Sequence, residues 1–379
     1  MLRHASKASH VAGDERWRAR DQVFATLSDW ERRWRDRQPY LQSRGYMLRS
    51  RYHPEWIPSW RLTKQKFRDC EDAIEAPLRE HLIDARRVSD DTPVYIKRVQ
   101  TGDNESWIAT LLCSEAIRRD PSNHCVPILD LFQDDEDPGT SYMIMPFLRL
   151  IDRPAMNAVE EVCDFVDQIL EGLVFMHGQG VAHSDCTYKN IMMDASAMYP
   201  RGVHPVHDLF LPDAVTPARP LPRTSVPVRY YFVDYGLSVH VPPDGRSGLV
   251  LGTLGRDQDV PELSDEVPYD PFKVDVFIIG NLLRRMFYDQ YSNVNFLLPL
   301  FESMVEIDPV RRPNAEEARK QWLAIRPGLL TIHRRWRLRP RQEPWPETFI
   351  YEIASLYCVS RFTLPTVALI VLVCCYMVT

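Results

Sequence analysis

Glycine is scarce in this chain, 15 of 379 residues, and the stretch between Gly45 and Gly102 has none. That gap excludes a G-x-G-x-x-G loop there, because a backbone that closes on phosphate needs residues without Cβ and with unusual dihedrals. Ordered cysteine spacing is missing too: the eight cysteines, at 70, 113, 125, 163, 186, 358, 374 and 375, form no C-x-x-C pair and no regular framework. Zinc and disulfide scaffolds are therefore disfavoured, and a reducing compartment is the simpler setting. No dense basic block stands out and the formal net charge is −6, so nothing points to nucleic acid. The opening Met1-Leu2-Arg3-His4-Ala5-Ser6-Lys7 lacks the apolar core of a secretory signal.

What is present is a globular composition, 45% hydrophobic, long enough for one two-lobed domain plus extensions. Between residues 14 and 44, Trp17, Phe24, Leu27, Trp30 and Trp34 recur near helical steps, which predicts an amphipathic helix docking by an aromatic stripe. Residues 45–61 set two prolines among aromatics and predict an ordered, extended wrap; neighbouring acids disfavour a platform for single-stranded nucleic acid. Strands are predicted around Leu82 to Arg87 and Val94 to Val99. A helix is predicted over Ala158 to Gly178, with Val162, Phe165, Val166, Ile169, Leu173 and Met176 on one face.

The chemistry gathers in Val181 to Asp194. His183, Asp185 and Asn190 stand ahead of an apolar Ile191-Met192-Met193 run, the layout of a loop leading into a short strand. A carboxylate that orients a hydroxyl and an amide that ligates Mg²⁺ suit one rigid turn in phosphoryl transfer. Downstream, Tyr231-Phe232-Val233-Asp234-Tyr235-Gly236 reads as a β run ending in Asp, aromatic and Gly.

With that second aspartate the chain resembles the eukaryotic protein kinase family, Asp234-Tyr235-Gly236 matching its D-F-G. Further matches follow in family order: Pro261-Glu262 for A-P-E, Asp275 and Gly280 for D-x-x-x-x-G, and Asp308-Pro309-Val310-Arg311-Arg312-Pro313 for D-P-x-x-R-P. Asn123 to Pro127 and Tyr269 to Lys273 are similar to kinase-domain proteins of filamentous and mushroom-forming fungi. The resemblance covers about residues 80–325. It implies an α+β, two-lobed kinase-like fold: an extension over 1–79 wrapping the small lobe, a β-rich N-lobe and hinge over 80–148, and a helical C-lobe over 149–325. A C-terminal extension would fill 326–361.

The resemblance also implies roles. Lys97, in Pro93 to Val99, would grip the α and β phosphates of ATP, and Glu105 would pair with it, with Glu115 as rival. Met145 would be the gatekeeper, and Pro146, Phe147 and Leu148 the hinge that meets adenine. Asp185 would be the catalytic base, Asn190 and Asp234 the Mg²⁺ ligands, and Glu262 with Arg312 a structural ion pair. Tyr235 would be the packing aromatic. Ser184 and Thr187 replace an Arg and a Lys of the family pattern, and Lys189 is the candidate that substitutes for the lost cation. Two readings stay open, an ATP- and Mg²⁺-dependent Ser/Thr kinase acting on an unidentified protein, and a pseudokinase that binds or scaffolds; a small-molecule kinase is a weaker third.

Two segments lie outside the family pattern. Residues 195–228 carry prolines at 200, 205, 212, 217, 220, 222 and 227, which predicts an extended surface loop, tolerated or used to recruit a partner through polyproline II segments. Residues 362–379 contain no charge and as a helix would span about 27 Å, close to the hydrocarbon thickness of a bilayer. They predict a C-terminal tail anchor holding the protein on the cytoplasmic face of an intracellular membrane.

Overall fold

Alternating apolar and polar residues make the central element of the first half. The computed structural model describes residues 21–63, 65–76, 79–242 and 248–344, so Trp17 and the expected tail anchor lie outside the described residues. Among the described residues no helix is long and apolar enough to cross a membrane. The described residues divide into two compact units, those within 21–107, 126–148 and 194–222 in the first and those within 108–125, 149–193 and 223–344 in the second.

The first unit is built on a five-stranded antiparallel sheet in the order β1-β2-β3-β5-β4. Its strands are β1 (Tyr46–Leu48), β2 (Leu82–Arg87), β3 (Pro93–Gln100), β4 (Asp130–Gln133) and β5 (Thr140–Pro146). Ile83, Ala85, Val94, Ile96, Tyr142 and Ile144 line one face and are buried with Trp30, Trp34 and Leu41 of α1 (Asp29–Ser43). Each such large side chain contributes about 1.5–3 kcal/mol by leaving water. The helix expected over 14–44 is interrupted: residues 21–25 are helical, 26–28 are not, and α1 starts afresh at a capping box of Ser28 and Glu31. Gly45, at φ +90°, ends α1 and turns the chain into β1. Residues 46–48 are thus a strand of the sheet rather than part of a wrap around it.

Glu31 ties the N-terminal segment down. Its carboxylate receives the Ser28 N–H at 2.9 Å and the Arg51 guanidinium at 2.7 Å, and both side chains of the pair are buried. Burial alone would raise this carboxyl, but the Arg51 and Ser28 bonds outweigh it and hold it below the ordinary range.

The second unit is mainly helical: α3 (Val159–Gly178), α4 (Pro271–Leu283), α5 (Leu298–Met304) and α6 (Ala315–Ile325). The expected apolar face of α3 is buried. Gly280 of α4 lies where a Cβ would meet the Met304 Cβ of α5 at 2.8 Å, so glycine permits the close approach of these helices. Short strands frame the site loop: β6 (Arg149–Leu150), β8 (Ile191–Asp194) and β9 (Arg229–Phe232) form one sheet, and β7 (Val181–Ala182) pairs with β10 (Val239–His240). The protein is therefore a mixed α+β chain with an antiparallel sheet and several helices.

The helical run that opens at Glu105 predicts Trp107, Ile108, Leu111 and Leu112 packing inward; on α2 (Asn104–Leu112) Trp107 is instead 48% exposed, while Ser106, Ile108, Ala109 and Leu112 face inward. The proline-rich stretch has no helix beyond 3-10 turns, as its prolines require, and one antiparallel bridge, Phe210 with Pro217, yet it is not an open surface loop. Met198, Tyr199, His204, Leu211 and Ala214 are buried, and residues 194–222 belong to the same compact unit as the sheet.

Removing Glu31 leaves the buried Arg51 only the half-exposed Glu75 carboxylate, at 3.7 Å, as a counter-charge, so Glu31→Ala should cost about 3 kcal/mol in urea unfolding. Glu115→Ala, at an exposed pair with Arg118, should stay within about 0.5 kcal/mol. Because the folded Glu31 carboxyl ionises more readily than the unfolded one, its contribution is complete above the ordinary value of 4.5. It fades as pH falls through the lower folded value, so the gap between wild type and Glu31→Gln should narrow in acid.

Candidate functional site

In the second unit, one carboxylate shapes the loop between β7 and β8. Asp275 of α4 is fully buried and accepts the backbone N–H groups of His183 and Ser184, each at 2.7 Å, and the His177 Nε2–H at 3.0 Å. Two successive N–H groups can converge on one carboxylate only if the chain bends sharply, and Ser184 takes that bend at φ +65°. Cys186 lies against the same carboxylate, and burial followed by that negative charge pushes its thiol up and keeps it unreactive.

On this frame the loop sets its side chains. His183 Nδ1 accepts the Asp185 N–H at 3.3 Å, which leaves the ring proton on Nε2 for the Val233 carbonyl at 3.0 Å. Asn190 Nδ2 donates to the Asp185 carboxylate at 2.8 Å and to the Asp185 carbonyl at 2.9 Å. Two oxygen partners fix the orientation of the amide. Its Oδ1 accepts no hydrogen bond among the described residues and is the atom a hard cation would take. The Val233 N–H bonds the Asn190 carbonyl at 2.9 Å, so Asp234 directly follows a residue tied to both His183 and Asn190. Asp234 itself sits at φ +68°, a strained conformation that aspartate tolerates better than bulkier residues. Tyr235 is buried beside His183, ring centroids 5.5 Å apart, and donates its hydroxyl to the Phe232 carbonyl.

The other Asp185 oxygen accepts the Arg256 N–H at 2.8 Å. Gly255, just before Arg256, takes φ +140°, a backbone conformation that side chains rarely adopt. Two bonds on a carboxylate with about four acceptor sites leave room for a hydroxyl. Farther along, Asp257 is buried and receives Asn281 Nδ2 at 2.9 Å, and Glu262 forms the expected buried pair with Arg312. Lys189 is the candidate for the cation missing at Thr187. Its Nζ stands 4.7 Å over the Tyr188 ring, and among the described residues no bond joins it to Asp185. Thr187 is buried with its hydroxyl unpartnered.

In the first unit, Lys97 Nζ bonds Glu105 Oε1, both side chains about nine-tenths buried, whereas Glu115, which belongs to the second unit, pairs with Arg118 at the surface. The register sets Asp84 opposite Tyr95, Leu82 opposite Lys97, Tyr95 opposite Met145 and Lys97 opposite Met143. These residues therefore share the face away from the α1 core. Met145 and Leu148 are buried, and the Phe147 ring lies tilted against the Tyr95 ring, centroids 5.0 Å apart. Beyond Tyr95 the same face carries a charged cluster: Arg49 Nε lies 3.0 Å from Asp84 Oδ2, and Arg49 Nη1 donates to Glu71 at 3.2 Å. Burial pushes the Asp84 carboxyl up, with Arg49 opposing.

Tyr95, Asp84, Arg49, His204 and the Arg256 backbone were not anticipated as site groups. Asp84 had a signal, since in Leu82 to Arg87 it alternates with the core residues Ile83 and Ala85. His204 had none, because it reaches this face only through tertiary packing. No protein-family model matches the chain, and no curated protein matches it.

Asp275→Ala deprives two backbone N–H groups of their acceptor, at about 1–3 kcal/mol each. The expected outcome is a loss of that order in chemical unfolding, together with faster amide exchange at His183 and Ser184.

Proposed function

We propose that the chain is a protein kinase-like phosphotransferase of the two-lobed kind, using ATP and Mg²⁺ to transfer the γ-phosphoryl group to a hydroxyl, of Ser/Thr type. The observation that carries this reading is the Asn190–Asp185 bond within a loop anchored on Asp275. It presents, on one rigid turn, a carboxylate able to orient a hydroxyl and an amide oxygen able to meet a metal. Asp234, following the Val233 link, would be the second metal ligand. Lys97, held by Glu105, would neutralise phosphate oxygens. Bound Mg²⁺ would supply charge neutralisation at the phosphates, and Asp185 would take up the hydroxyl proton. Thr187 brings no positive charge to the transition state. By comparison with other electrostatic donors that loss is worth about 2.7–4 kcal/mol, so turnover is expected to be slow. The proposed membrane address rests on the composition of residues 362–379.

A second reading, a pseudokinase that binds or scaffolds a protein partner, is favoured by one observation. Beside Lys97 the sheet face carries the tilted Tyr95–Phe147 ring pair and a buried Arg49–Asp84 pair, and residues of the proline-rich insertion lie against it.

The test is release or transfer of labelled γ-phosphate by the full chain with Mg²⁺. The phosphotransferase reading expects turnover that EDTA abolishes and that Asp185→Asn lowers about 10²- to 10⁴-fold. Turnover equal in wild type and Asp185→Asn, or none in either, sinks it.

A further inference from the structure

The proline-rich insertion packs on the Lys97 face of the sheet and meets the charged cluster there. His204 is 1% exposed. Its Nδ1 accepts the backbone N–H groups of Val206 (3.1 Å) and His207 (2.9 Å), so the ring proton sits on Nε2, which donates to Glu71 at 3.2 Å. Burial alone would raise the Glu71 carboxyl, but the bonds from His204 and Arg49 outweigh it and hold it low, an ionised partner for both. Between insertion and sheet remains a cavity of about 220 Å³, lined among others by Met47, Asp84, Phe147, His204 and Pro212.

The insertion is braced within itself. The His204 N–H bonds the Phe210 carbonyl at 2.8 Å, Leu211 bonds Thr216 at 2.7 Å, and Ala218 bonds Leu209 at 2.8 Å. It faces the cavity with Val203, Pro205 and Pro212 beside His204. Proline has no N–H with which to join a strand, so this approach is by side-chain packing plus the histidine bond. A hairpin that keeps its own backbone bonds can lift as a unit without unmaking the sheet.

We propose that residues 203–212 are an intrasteric cover over the base-binding part of the Lys97 face, latched by His204 on Glu71, and that lifting the cover admits the purine of a nucleotide. The inference rests on the phosphotransferase reading and adds its regulation: without a glycine loop, access on this face is set by the insertion. A hydrogen bond to an ionised group is worth enough to change nucleotide affinity about tenfold to a hundredfold when the latch is removed.

The test compares the full chain with His204→Ala in two measurements: hydrogen exchange at residues 203–212, and binding of a ribose-labelled fluorescent ATP with Mg²⁺. Glu71→Ala, which removes the acceptor of His204 and leaves Arg49 its Asp84 partner, is read in the same way should His204→Ala fail to fold. The expected result is faster exchange together with tenfold to hundredfold tighter nucleotide binding. Faster exchange with unchanged or weaker binding overturns the cover and leaves the nucleotide reading standing. Unchanged exchange shows that His204 is not the latch and overturns it also. Binding in no variant, with the hairpin opened, removes the proposal and the nucleotide reading together.

Discussion

The buried carboxylate of Asp275 is the constraint on which the loop chemistry depends. By drawing the N–H groups of His183 and Ser184 onto its two oxygens, it fixes the bend at Ser184. That bend directs the Asp185 N–H to His183, whose other nitrogen reaches Val233, and so the strand ahead of Asp234 is tied to the loop ahead of Asn190. Strain at Ser184 and Asp234 is held by this set of bonds rather than relieved, as is common where backbone geometry serves a site.

The sheet of the first unit shows how one strand pattern divides labour. Residues of one parity bury against α1, and α1 is fixed through Glu31 on Arg51. Residues of the other parity, Asp84, Tyr95 and Lys97, face a surface that is polar, charged and half covered by the insertion. The ion pair of Lys97 with Glu105 and that of Arg49 with Asp84 sit on this same face.

Much of this was legible in the sequence because it is local. Period-two alternation gave β2 and β3, period-3.6 spacing gave the buried face of α3, and short ordered motifs gave His183, Asp185, Asn190 and the Glu262–Arg312 pair. Glu105 was separable from Glu115 because Pro121 lies too near the latter for a helix. What failed was set by tertiary contact. The break at 26–28 is decided by a capping box whose Glu31 also serves Arg51. The prolines at 195–228 excluded helix correctly but carried no sign that His204 would be buried against Glu71.

The central claim, that the Asp185–Asn190–Asp234 loop holds a metal-bound nucleotide, is tested most directly by thermal unfolding of the full chain titrated with ATP, with and without Mg²⁺. A ligand specific for the folded state raises stability in proportion to RT ln(1 + [L]/Kd). The account predicts a graded, Mg²⁺-dependent rise in Tm, larger in His204→Ala and stripped of its metal-dependent part in Asp234→Asn. Millimolar Mg²⁺-ATP that leaves both the wild type and His204→Ala unmoved, in well-folded samples, would contradict it.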